Sequence, residues 1–190
     1  MTTALFVIDV QNDFTEGGAL AVTGGASVAA RVTEHLRADR ARYDVVVASR
    51  DWHDDQGDNG GHFSAEPDYV DSWPPHCVRG TTGADYHPDL DTGLVDEHVR
   101  KGAGTPAYSI FEAATEAGES LVDLVARRGV TDVDVVGLAT DHCVRASALD
   151  AARAGLRVRV LTDLVAGVAE GPSAAALDEL REAGVDTVRS

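Results

Sequence analysis

Short valine-rich apolar runs alternate along this chain with helical patterns, and that alternation limits what it can fold into. ALFVIDV (4–10), DVVVAS (44–49), DVDVVGLA (132–139) and LRVRVLT (156–162) read as strands. LVDEHVR (94–100) and VDTV (185–188) are weaker strand candidates. Helical spacing fills the gaps. Residues 26–40 place Val28, Ala29, Val32 and Leu36 on one face, and residues 119–128 place Leu121, Leu124 and Val125 together. Residues 142–154 are alanine-rich and stop at Gly155, and residues 173–183 follow Pro172 and stop at Gly184. VVVA and VVGLA lack polar alternation, as strands buried on both faces do. The pattern predicts an α/β fold, a three-layer α/β/α sandwich around a mainly parallel sheet of six strands with Rossmann-like winding. At 190 residues the chain fits one such domain, 1–190, able to build a core without staples.

Charge narrows the function. Sixteen Lys and Arg stand against 32 Asp and Glu, for a formal net charge of −16. Such a surface repels phosphate backbones and anionic lipid, so neither nucleic acid nor membrane is an expected partner. A small neutral substrate remains compatible, for a monomer or small homo-oligomer. No apolar stretch approaches a membrane span, and MTTALFVIDV has neither a basic leader nor a long apolar region, so the expected location is cytoplasmic. Two cysteines, Cys77 and Cys143, do not make a disulfide framework.

Residues 50–93 break the rhythm. They hold four of the six prolines, four of the seven histidines and both tryptophans. A stretch of that length without clear elements inside a compact domain is usually functional. In parallel α/β sheets ligands bind at the carboxyl ends of strands. Asp9, then Asp51 and His53, then Lys101, then Thr140–Cys143 each follow a strand, so one sheet edge should collect them.

Cys143 lies between a buried strand and a helix start, where Thr140 or Asp141 could cap the helix and its free N–H groups favour a thiolate. A free cysteine is more often packing than chemistry, and Cys77, in PPHCVRG without a helix, is read that way. His142 points about 100° away from Cys143 on a helix and is poorly aimed as its base. Asp9 ends an apolar strand, and Lys101 is the only lysine in the chain. Paired, they would offset each other's burial and put an acid–base group beside the thiol. Asp51 and His53, two apart in an extended segment, share a side; with His62 and His76 they form a donor set suited to one divalent transition metal, Zn, Fe or Mn. The same residues could instead be scattered on a solvated loop. Gly102–Ala107 loosely matches a dinucleotide-binding glycine pattern, but no clear helix follows it.

Taken together, FVIDVQNDFTEGGALAV (6–22), ASRDWH (48–53), HFS (62–64), SWPPHCVRGTTGADYHP (72–88), KGAGTPAYSIFE (101–112) and VDVVGLATDHCVRASALDA (133–151) resemble the nicotinamidase/pyrazinamidase branch of the isochorismatase-like cysteine hydrolases. The resemblance implies a six-stranded parallel sheet between helix layers, and an amidohydrolase that converts nicotinamide, and pyrazinamide with it, through a cysteine thioester. It implies Cys143 as nucleophile, Asp9 as acid/base and Lys101 as charge partner, with Asp51, His53, His62 and His76 on the metal. Phe14, Trp73, Tyr108 and His142 would contact the substrate. A cis peptide before Ala139 would present the Ala139 and Cys143 amides as an oxyanion hole. DDQGDNGG, between His53 and the HFS histidine, is a long interval that leaves Asp58 as an alternative to His62. Two other readings remain at this point: a relative acting on another small amide or an N-carbamoyl compound, and a non-catalytic metal- or nucleotide-binding module.

Overall fold

A computed structural model describes residues 1–190. Seven strands form one sheet: β1 (Thr3–Ile8), β2 (Val45–Asp51), β3 (Glu97–Lys101), β4 (Ala114–Thr115), β5 (Asp132–Leu138), β6 (Arg157–Ala166) and β7 (Asp186–Val188). Their spatial order is β4-β3-β2-β1-β5-β6-β7. The six strands read from sequence all pair in parallel. The seventh, β4, is a two-residue antiparallel addition to the edge at β3, too short to carry any periodic signal. β6 runs further than its apolar stretch because its last residues, Val165 and Ala166, continue the ladder beside Gly137 and Leu138 after an irregularity in register.

Four helices cover the sheet: α1 (Gly25–Asp39), α2 (Leu121–Arg128), α3 (Arg145–Arg153) and α4 (Glu170–Glu182). β1 shows why the sandwich has two cores. Ala4, Phe6 and Ile8 face one of them, with Leu124 of α2, Ala148 of α3 and Leu180 of α4. Leu5 and Val7 face the other, with Val28, Val32 and Leu36 of α1. The α1 face is completed by Leu90, Tyr86, Leu94 and Val95 from the stretch before β3, which covers the sheet where a second helix would lie. Alternate side chains of one strand thus serve opposite layers, so β1 has no polar face. α4 begins earlier than expected, at Glu170, with Pro172 in its first turn, where a missing N–H costs nothing.

β1 is central. The chain adds β2 and β3 on one side of it, then returns to add β5, β6 and β7 on the other. The crevice at the carboxyl ends of β1 and β5 is therefore the switch point where α/β sheets bind ligands.

Candidate active site

Each strand that ends at this crevice delivers one reactive group. Asp9 follows β1 with a φ of 47°, a left-handed turn that ends the strand and leaves the carboxylate fully buried. Ser49 Oγ donates to Asp9 Oδ1 at 2.7 Å. Lys101, the last residue of β3, lies with Nζ 2.9 Å from Asp9 Oδ2. That contact is a short, fully buried ion pair. Lys101 Nζ also binds Asp51 Oδ1 and lies 3.8 Å from Cys143 Sγ. One cation thus sits between two carboxylates and a thiol. Asp9, Asp51 and Cys143 have their donor atoms within 4.8 Å of one another.

The electrostatics follow from burial and this shared cation. Burial pushes Asp9 up against the pull of Lys101, and Asp51 adds to the rise. Burial also acts on Asp51, but Lys101 and the nearby His53 and His76 imidazoles outweigh it and hold that carboxyl well below the ordinary range. Burial opposes charge on Lys101, yet Asp51 and Asp9 keep its ammonium well above the ordinary value. The Cys143 thiol is driven well up by burial, with Lys101 opposing and the two carboxylates adding. Burial thus favours the thiol here, against the thiolate that a helix start alone favours.

The Leu138–Ala139 peptide before Cys143 is cis, as the resemblance implies. The helix start differs from expectation: Thr140–Val144 form a π turn that runs into α3. Neither Thr140 nor Asp141 caps it. The Asp141 carboxylate instead accepts from the amides of Val168 and Ala169, at 3.0 and 3.2 Å, and ties the loop after β6 to the Cys143 turn. That link pairs residues 27 and 28 positions apart, which no local pattern reports.

The long segment after β2 is pinned rather than loose. His53 bridges to Val78, and Phe63 bridges to Trp73. The Gln11 amide donates to the carbonyls of Asp51 and Ala84 and accepts from Asp51 N. The side chain of Asn59 accepts from Asp54 N and Gly104 N and donates to Asp54 O, folding the DDQGDNGG interval back on itself. His53, His62 and His76 thereby converge, with one ring nitrogen of each within 4.8 Å of the others. Asp58 does not join them; its carboxylate turns to Gly60 N. Asp51 Oδ2 lies 3.6 Å from His53 Nε2 and 3.8 Å from His76 Nε2.

These groups fit a metal ion. His53 Nδ1 bonds the Gly102 carbonyl at 2.7 Å and His76 Nδ1 the Pro74 carbonyl at 2.9 Å, which aims each Nε2 at Asp51. His53 Nε2 and His62 Nδ1 are buried with no hydrogen-bond partner. Buried orphaned nitrogens are costly unless something else satisfies them. Burial, with His53 and His76 nearby, pushes His62 down to about 4 and leaves it the neutral imidazole that ligates. Phe63, which the sequence reading passed over, packs on all three rings at 5.0 to 5.9 Å, and its place beside His62 in HFS was the signal.

Phe14, Trp73, Tyr108 and His142 line one cavity with Asp51, His62, His76 and Cys143. Trp73 Nε1 donates to Tyr108 Oη at 3.0 Å, and the His142 ring meets Trp73 edge-on at 5.2 Å. Phe14 lies 5.6 Å from His76. The walls are thus flat and aromatic. Cys77 stays outside: it is fully buried, and its amide donates to Asp13.

The isochorismatase domain model matches residues 3–190. A nicotinamidase/pyrazinamidase of Mycobacterium tuberculosis is 56% identical over 98% of both chains. A pyrazinamidase of Pyrococcus horikoshii, solved in complex with zinc, superposes with a TM-score of 0.84 at 35% identity over 100% of each chain. A protein of L. infantum in complex with nicotinate gives a TM-score of 0.83 at 34% identity, covering 99% of this chain and 92% of its own. The Cys143 turn, the strand-end acid and lysine, and the match along almost the whole length agree: this chain belongs to the isochorismatase family.

Proposed function

We infer that this chain is an amidohydrolase that converts nicotinamide to nicotinic acid and ammonia, and pyrazinamide to its acid by the same chemistry. The observation that carries the reading is the meeting of Asp9, Lys101 and Cys143 at the carboxyl ends of the strands, beside a flat aromatic cavity. The activity named for the 56% identical M. tuberculosis relative supports it.

The ring lies between Phe14 and Trp73, with Tyr108 and His142 closing the wall. The carboxamide carbon faces Cys143. Asp9, whose carboxylate lies within 4.8 Å of Sγ, takes the Sγ proton, and the thiolate adds to the carbonyl carbon. The carbonyl electron pair becomes an oxyanion held by the Ala139 and Cys143 amides. One such donor typically lowers a barrier by about 3 kcal/mol. Asp9 returns its proton to the amide nitrogen, the C–N bond breaks, and ammonia leaves a thioester. Asp9 then takes a proton from water, which attacks the thioester; the C–S bond breaks and Sγ is reprotonated. Lys101 keeps Asp9 charge-compensated in a site where an isolated carboxylate would be unstable. Asp51, His53, His62 and His76 would hold one divalent transition metal (Zn, Fe or Mn), which supplies a Lewis-acid anchor for the ring nitrogen. The reaction needs no partner beyond a small neutral amide, and it suits a cytoplasmic enzyme. No helix is long and apolar enough to cross a membrane.

Ammonia release from nicotinamide tests the reading. The intact protein should release it, and Cys143→Ala should lose at least about 10³-fold in kcat while retaining its metal. A Cys143→Ala protein as active as the unaltered one would exclude the thioester route.

A further inference from the structure

The cavity holds about 540 Å³, a size that suits drug-sized ligands, whereas nicotinamide is a single ring with one carboxamide. Its inner part is buried and carries the chemistry. Its outer part is apolar and open. Leu20, Tyr69, Val70, Val168 and Pro172 line it, from three separate loops and the first turn of α4. Tyr69 is 60% exposed, Val70 68% and Val168 53%, against 7% for Cys143 and 3% for His76. Large apolar side chains left in water and gathered around one opening mark a binding surface rather than scattered exposure. The Val168 wall is also held in place, because Asp141 clamps its amide to the Cys143 turn.

We propose that this rim is a second subsite, which binds an apolar substituent at ring position 5 of a nicotinamide-type substrate. The proposal rests on the amidohydrolase reading above and names a substrate class for it. Its geometry comes from the ring. The pyridine nitrogen and the carboxamide occupy two mutually meta positions. With the nitrogen turned to Asp51 and His76 and the carboxamide at Cys143, both anchors meet buried groups. The remaining meta position, C5, points away from both and toward the open rim. An alkyl chain there leaves water for Val70, Val168 and Tyr69 without displacing either anchor. Unsubstituted nicotinamide does not reach the rim, so rim substitutions should leave its turnover alone.

Steady-state kinetics of nicotinamide, 5-methylnicotinamide and 5-butylnicotinamide test this on the metal-loaded enzyme, on Val70→Asp and on Val168→Asp, with dissociation constants for nicotinic acid and 5-butylnicotinic acid as a readout independent of turnover. The butyl compound should show a KM at least about tenfold below the methyl compound, since each buried methylene contributes severalfold. The butyl acid should bind more tightly than nicotinic acid by a similar factor. Either aspartate should erase most of both gains and keep kcat/KM for nicotinamide within about twofold. A butyl compound that binds no better than the methyl one, or a gain that survives both substitutions, overturns the subsite alone. Failure of the unaltered enzyme to hydrolyse nicotinamide overturns the activity beneath it, and the two failures are read from different substrates.

Discussion

Lys101 Nζ touches Asp9, Asp51 and Cys143 at once, so the proposed acid–base group and the proposed metal ligand share one cation. A guanidinium could not replace it: a planar fork needs more room than a fully buried point between three groups offers. This explains why the only lysine of the chain stands at this strand end. Gly102, the next residue, matters for a different reason. Its φ is 86°, and a Cβ added there would lie 2.7 Å from His53 Cε1. Its carbonyl also fixes the tautomer of that ring. Gly102→Ala should therefore displace the His53 imidazole and lower bound metal per chain severalfold, with KM rising and Cys143 still open to alkylation. Metal analysis of the purified variant checks this, and full stoichiometry would contradict a His53 ligand. Asp9, Cys143 and the histidines could be singled out in the sequence because their side chains are reactive in the wrong place for a core. The supporting groups could not. Gln11, Ser49 and Asn59 are ordinary polar residues whose roles exist only through contacts across the fold.

At the scale of elements, the strands were legible and their ends were not. Apolar runs locate β1, β2, β5 and β6 because burial on both faces leaves no alternative composition. The π turn at Thr140–Val144 was invisible, since it rests on packing against α3 and α4, not on propensity. The same holds for the pinned segment 52–79, whose two bridges pair residues with no strand-like composition. The amino-terminal halves of the strands do a different job. Asp134, in β5, is buried at the pole opposite the cavity, where it accepts from Tyr43 Oη at 2.8 Å and from both arms of Arg159 at 2.7 Å. Removing one donor from a buried carboxylate typically costs about 1–3 kcal/mol. Tyr43→Phe should lower stability to urea by about that amount while kcat for nicotinamide stays unchanged. A loss of activity at full stability would mean that the two poles of the sheet are coupled.

For the whole molecule, the fold class followed from alternation of strand and helix patterns, which located six of the seven strands. The seventh adds only two residues to an edge. The charge of −16 sits mainly on a surface that a neutral amide does not sense, while a carboxylate product is repelled as it leaves. A metal held by the proposed ligands would tie function to global stability. His53 and Asp51 come from β2 and its continuation, and His62 and His76 from the segment after it, so an ion bound by all four holds that segment to the sheet. A ligand at about 100 times its dissociation constant adds about 2.7 kcal/mol. For a chain of this size that is roughly 5–10 °C in Tm. Chelation followed by a thermal scan should show a fall of this size, reversed by adding back zinc, iron or manganese. An unchanged Tm would mean that the four residues do not hold an ion.

The winding about β1 has a consequence in time as well as in space. Asp9, Asp51, all three cluster histidines and Lys101 lie within the first 101 residues, on the half of the sheet that is synthesised first. Cys143 arrives with β5, on the other side of β1. While the chain is growing, every group that could bind an ion or move a proton has been made before the sulfur exists. The Cys143 thiol emerges only with the strand that docks it against its partners, so the proposed nucleophile is the last of the Asp9–Lys101–Cys143 set to be made.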